Sequence, residues 1–335
     1  MNTTIYQNIA TRTAGDIYIG VVGPVRTGKS TFIKRFMETQ VIPNIENVYR
    51  RERARDELPQ SGSGRTIMTA EPKFVPEEAA QIQLEGGAQV ADFFVKDSTG
   101  SGTDLLAAFE EEPSVHLKRD GSAEILIYHT HTSEAYSQSY TGFYYTDMAT
   151  RTEDPDQSVV AAGEALKQAL EAQGFGVVHD TTVNDTLYNG SYDRSWEVLQ
   201  KNLAEYPTLQ VTIDVHRDSM TTDSGVKYKP TVTVNGRKAA QVMLIAGCDA
   251  NGGWGDFPPG GRKTCAWALR VQQKLQQLYP GLARPLNFSN SKYNMNATPG
   301  SMLVEVGTEV NTVSEARYAG QLAGDAIGQV LKACP

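Results

Sequence analysis

No apolar run in this chain approaches the roughly 20 residues that span a bilayer. Cysteine is scarce: Cys248, Cys265 and Cys334 are the three, with no CxxC spacing. That excludes a disulfide framework and a cysteine-built zinc site. Basic charge is also short, with 31 Lys and Arg against 39 Asp and Glu, a net of −8. The deficit is uneven: residues 91–335 hold 20 basic and 29 acidic side chains, residues 1–90 hold 11 and 10. An acidic body excludes nucleic acid as the main partner. The first residues, MNTTIYQNIATRTAGD, lack the basic start and apolar core of a secretory signal. The chain as written is therefore expected to carry no export address and to be cytoplasmic. Histidine occurs five times, and three of the five fall in two short motifs.

Those motifs are EILIYHTHTSE at 124–134 and QVTIDVHRDS at 210–219; a third strand, SMLVEVGTEVN at 301–311, places Glu305 in an aliphatic run. Imidazoles, a carboxylate and a lone strand glutamate are what a hydrolytic zinc site needs. From about residue 121 apolar strands alternate with amphipathic helices: SVVAAGEALKQALEAQG, SYDRSWEVLQKNLAEYP, TCAWALRVQQKLQQLYP and SEARYAGQLAGDAIGQVLKA. This alternation predicts an α/β fold, a doubly wound sheet with helices on both faces. KPTVTVNG and QVMLIAG read as a hairpin. In such sheets functional side chains collect at the carboxyl ends of strands. His129, His131, His216 and Glu305 all lie there.

The front of the chain carries different chemistry. IYIGVV runs into GPVRTGKST, which matches GxxxxGK[ST] from Gly23 to Ser30, and TFIKRFME follows as a helix. Backbone N–H groups of a loop such as Gly23 to Gly28 cradle phosphate, Lys29 reaches the outer phosphates, and Ser30, beside Thr31, meets magnesium. FFVKDSTG at 93–100 offers Asp97 as the metal-binding aspartate of that domain. Nothing later resembles a base-reading NKxD.

YHTHTSEAY, RTEDPDQSVVAAGEAL, VVHDTTVND, TIDVHRDS and a YN pair followed by LVEVGTEVNTVSEA resemble the stage II sporulation protein P family over roughly 93–335. The resemblance implies an amidase-type domain, residues 91–335. It implies a zinc-dependent peptidoglycan hydrolase that cuts the muramoyl–L-alanine amide and stem-peptide crosslinks at the septal wall, outside the cytoplasmic membrane, alongside other engulfment proteins. GDIYIGVVGPVRTGKSTFIKRFME and RARDELPQSGSGRTIMTAEPKFVPEEA resemble the opening of the stage IV sporulation protein A family, a spore-coat ATPase, over roughly 5–88. Residues 1–90 thus read as an incomplete P-loop α/β fragment. ATP with Mg2+ is its implied ligand, yet so short a fragment is expected to have no useful ATPase. The two likenesses meet near Gly87–Asp92 without a Gly/Ser or Pro linker.

His216 is the clearest metal ligand. His129 and His131, two apart, would share a face on an extended backbone. Aligned with the related amidase strand, His131 takes the ligand position with Glu134, and His129 remains the alternative. His179 reads as a neighbour of the site and His116 as structural. Glu305 is either paired with Arg284 or, as the resemblance implies, the general base. It would take a proton from zinc-activated water and return it to the leaving amine. Arg217 or Arg284 is expected to hold a substrate carboxylate. Two stretches depart from the family pattern on the substrate side: 247–264, and Met295, where glutamine commonly follows the YN pair.

Overall fold

The computed structural model describes residues 29–44, 87–138, 144, 148–221, 227–250, 252 and 262–334. By contacts the chain divides into two units, Met1–Gln83 and Leu84–Pro335. In the first, helix α1 (Lys29–Phe36) is described, continued by a π segment, Met37–Val41, and a 3-10 turn, Ile42–Asn44. A helix here agrees with the pattern that follows the phosphate loop. Gly23 and Gly28 lie outside the described residues.

The second unit is built on one eight-stranded sheet, β1 (Ala88–Val90), β2 (Phe93–Asp97), β9 (Leu286–Ser289), β8 (Val242–Gly247), β10 (Gly300–Thr308), β5 (Val211–Asp218), β3 (Ala123–Tyr128) and β4 (Gly176–His179), in that spatial order. Strands β10, β5, β3 and β4 are mutually parallel. Strand β8 then pairs antiparallel with β10 and parallel with β9, so the sheet changes direction partway across. The expected doubly wound sheet is thus a parallel half carrying the histidine motifs joined to a reversed half. The hairpin also differs: β6 (Thr231–Val234) pairs with β7 (Arg237–Ala240) in a separate ribbon, while β8 enters the main sheet. Asp97 belongs to this unit, where β2 pairs with β9. Its carboxylate accepts from the Thr99 N–H at 2.9 Å; the phosphate loop it was expected to serve lies outside the described residues.

Helices cover both faces, as the alternation predicts. Ile125 and Ile127 point into the main core with α3 (Val159–Glu171), α5 (Arg262–Leu278) and α6 (Val313–Ala333), and the short α2 (Leu105–Glu110) packs on α5. Leu126 and Tyr128 point the other way, against Leu199 of α4 (Ser191–Glu205) and Leu209. All four side chains are buried, each aliphatic one contributing about 1.5–3 kcal/mol. Central strand β5 is buried along seven of its eight residues, which suits a strand covered on both faces. Asp214 and His216 are therefore polar exceptions in an apolar setting. Helix α6 begins at a reciprocal capping box, Thr312 with Glu315. Just before it the β10 register shifts between Glu305 and Thr308, with Gly307 at φ +62°. A Cβ at Gly307 would meet Asn311 Oδ1 at 2.5 Å, so glycine is required where this bulge re-aims the strand beside Glu305.

Candidate active site

Parallel pairing of β10 with β5 sets Glu305 opposite His216, and Leu303 opposite Asp214. Paired residues share a sheet face, so Asp214, His216 and Glu305 open toward the same side. Beyond Tyr128 the chain leaves β3 and turns. Thr130 fastens the turn: its N–H donates to Asp214 Oδ1 at 2.9 Å and its hydroxyl to Asp214 Oδ2 at 2.6 Å. The turn corrects the expectation that His129 and His131 share a face, since the backbone there is not extended.

His131 meets His216 edge to face, ring centroids 5.2 Å apart at 87°. Its Nδ1 is buried and has no hydrogen-bond partner. His216 Nε2 lies 2.9 Å from Asp214 Oδ1, an ion-pair approach out of line for a hydrogen bond. Its Nδ1 lies 3.8 Å from Glu134 Oε2. Burial opposes charge on His216, but the Asp214 carboxylate outweighs it and pushes the ring up to about 10. Burial, then the His216 charge, holds His131 down at about 4. Burial raises Glu134. Glu305 Oε2 is buried without a partner, and burial pushes its carboxyl up to about 8, aided by Glu134 and opposed by His216.

His129 faces elsewhere. Its Nδ1 donates to the Val215 carbonyl at 2.8 Å, and its Nε2 meets His179 Nε2 at 2.9 Å. His179 Nδ1 in turn lies 3.0 Å from Glu164 Oε2. With both nitrogens against protein partners, the alternative ligand is the one the structure turns away from His216. His116 is exposed and far from this cluster in the fold, at a backbone contact with Gln210.

Neither arginine faces outward as a carboxylate binder would. Arg217 is buried; its guanidinium donates to the carbonyls of Ala135 at 3.0 Å, Thr150 at 2.8 Å and Asp218 at 3.2 Å. Its N–H holds Glu134 Oε2 at 3.0 Å, so Arg217 positions the Glu134 carboxylate. Arg284, also buried, pairs with Asp218 at 2.8 Å. Met295 is 1% exposed in the main core, so its departure from glutamine alters packing and not a surface a substrate meets. Residue 251 and residues 253–261 of the other departing stretch lie outside the described residues.

Sequence reasoning missed the segment that roofs the turn. Asn184 Nδ2 donates to the His129 carbonyl at 2.9 Å, and Asp185 accepts from the N–H and hydroxyl of Ser133 at 3.0 and 2.7 Å. Arg151 bridges Asp185 and Glu134. Tyr188, on the same segment, stacks on His131 at 4.8 Å and 6°. Tyr192 lies over His216 at 6.4 Å and 15°. VVHDTTVND was visible as a motif, but no spacing in it signals these partners.

The donor set fits zinc in kind: an imidazole with an unpartnered buried nitrogen on His131, a second imidazole on His216 and the Glu134 carboxylate beside it. Among the described residues no three His, Cys, Asp or Glu side chains converge closely enough to hold an ion as they stand. No described helix is long and apolar enough to cross a membrane.

Comparison with known proteins agrees with the two-part sequence. The front matches the stage IV sporulation protein A of Clostridioides difficile (strain 630), 66% identical over 85 residues, 25% of this chain and 17% of that protein. The rear matches the stage II sporulation protein P of Bacillus subtilis (strain 168), 30% identical over 219 residues, 62% of this chain and 50% of that protein. The chain thus spans half or less of these relatives. A solved structure of the CwlD amidase from Clostridioides difficile, in complex with the GerS lipoprotein, overlaps 63% of this chain and 100% of that one at 13% identity and a TM-score of 0.40. The model of the stage II sporulation protein P family matches residues 41–328, and the chain belongs to that family.

Proposed function

We propose that the second unit is a zinc-dependent peptidoglycan amidase that hydrolyses the bond between the muramoyl lactyl group and the stem L-alanine, with the stem-peptide crosslink as a further substrate. One observation carries this reading: Glu305, with an unpartnered buried oxygen, is the register neighbour of His216, which packs against His131. His131, Glu134 and His216 would hold the metal. Zinc, when bound, polarises a carbonyl and acidifies water. Asp214 and Arg217 fix the orientation of His216 and Glu134. Glu305 Oε2 accepts the proton of the attacking water as its oxygen bonds to the carbonyl carbon. It then delivers that proton to the amide nitrogen as the C–N bond breaks. The substrate lies outside the cytoplasmic membrane, so the reading places this unit at the wall.

The test is digestion of purified sacculi with zinc present, followed by muropeptide analysis. Free stem peptides with L-alanine amino termini are expected. Unchanged products, or full activity in Glu305→Gln, would end the reading.

A second reading rests on the 66% likeness of the front to a stage IV protein: nucleotide binding through Gly23, Gly28, Lys29, Ser30 and Thr31. Titration of the full chain with ATP and Mg2+ is expected to give weak binding and negligible turnover. A turnover abolished by Lys29→Ala would establish it as an ATPase.

A further inference from the structure

The YN pair has so far no part in the chemistry. Tyr293 and Asn294 both sit at positive φ, +42° and +56°, in a turn closed by the Met295 N–H donating to the Lys292 carbonyl at 2.8 Å. Two such centres mark a I′ turn, normally made by Asn and Gly, and a tyrosine there is strained at a cost of about 1–3 kcal/mol. The strain is held by Asn294, whose Nδ2 donates to the Tyr192 carbonyl at 2.9 Å and to Ser195 Oγ at 3.0 Å. Ser195 Oγ also contacts Thr130 Oγ1 at 2.8 Å, inside the turn that carries His131. The result is a ring placed with care: Tyr293 stacks on Tyr192 at 5.2 Å and 27°, and Tyr192 lies over His216. Tyr293 remains 38% exposed.

We propose that the Tyr192–Tyr293 shelf is a saccharide subsite, where one sugar ring of the glycan strand stacks on the exposed tyrosine while the amide lies beside Glu305. This rests on the amidase reading above. The scissile bond joins a sugar substituent to a peptide, so a site that holds it must hold saccharide on one side. A pyranose offers a flat apolar C–H face rimmed by hydroxyls, complementary to the electron-rich face of a ring with a phenolic edge. A charged stem peptide suits the Tyr188 end of the ring series better, where Arg151 lies 5.5 Å over Tyr188.

Calorimetric titration of the full chain with peptide-free oligomers of N-acetylglucosamine and N-acetylmuramic acid tests the subsite. Tyr293→Phe should retain affinity, and Tyr293→Ala should lose roughly three- to tenfold. Tyr293→Asn, which accepts positive φ, should lose as much, and its melting midpoint checks that the turn survives. Wild-type protein that fails to bind the oligomers, or Asn and Phe variants that bind equally, overturns the subsite. So does a Tyr293→Asn variant that loses affinity for free stem peptide but not for glycan. Muramoyl-dipeptide hydrolysis is measured in parallel. Intact cleavage with unchanged glycan affinity in Tyr293→Asn sinks the subsite alone. No cleavage by the wild type sinks the amidase reading, and the subsite falls with it.

Discussion

Two histidines two residues apart end up in opposite chemical situations. His129 and His179 form a pair whose outer nitrogens reach Val215 and Glu164, with the inner nitrogens on each other. His131 and His216 form a pair that leaves His131 Nδ1 buried without a hydrogen bond, while His216 Nε2 lies against the Asp214 carboxylate at 2.9 Å. Buried polar groups normally have partners, and two that lack a hydrogen bond, His131 Nδ1 and Glu305 Oε2, lie on either side of His216. On the amidase reading the closed pair is architecture and the open pair is site.

The largest effects should fall on the open pair and on Glu305, the register neighbour of His216. His216→Ala and Glu305→Gln are expected to lower amide hydrolysis of sacculi by about 10²–10⁴-fold, whereas His179→Gln should change it by less than about tenfold. Equal losses in both pairs would erase the distinction. Zinc binding should divide the same way. His131→Ala is expected to weaken zinc by at least about 10–100-fold, measured by competition with a chelating dye, and His129→Gln to leave it near wild type. If His129→Gln also released the metal, the alternative ligand would return.

The elements were legible because their apolar periods are clean, as in the helix from Val159 and the strand from Val211. The sheet order was not. Nothing local distinguishes β8, which reverses, from β5, which does not; pairing with β10 decides it. Glu305 and His216 were legible as lone polar groups in apolar strands. The different surroundings of His129 and His131 were not, because they depend on a turn tied by Thr130 to Asp214, 84 residues away. The tyrosines over the imidazoles were hidden for the same reason. Tyr188 rides on a segment whose carbonyls at Asn184 and Leu187 accept hydrogen bonds from Arg194. Arg217 misled because a charged residue beside a ligand strand reads as substrate-facing until its carbonyl partners are seen.

A smaller effect probes the closed pair directly. Gly163 lies under it, and a Cβ there would meet His129 Cε1 at 2.7 Å and His179 Nε2 at 2.9 Å. Gly163→Ala is therefore expected to destabilise the second unit by about 1–3 kcal/mol in urea unfolding, despite the gain in helix propensity. A stabilised variant would mean that the imidazoles part freely.

The smallest effect is also the most discriminating, because His129 and His216 carry opposite signs with pH. In metal-free protein, burial holds His129 down at about 3, against 6.5 for a free imidazole. Below about 6.5 the unfolded chain binds a proton that folded His129 refuses, so stability is lost as pH falls toward 3. His216 is pushed up to about 10. Its contribution is complete below about 6.5 and is lost as pH rises through 10. Removing the imidazole in His129→Gln should flatten the acid limb of the melting midpoint between pH 6.5 and 4 by a few degrees, about 2–4 °C per kcal/mol for a domain of this size. Asp214→Asn, which removes the charge that raises His216, should flatten the alkaline limb between pH 7 and 10. A variant that flattened the other limb would overturn the cause assigned to that shift, burial for His129 or the Asp214 charge for His216.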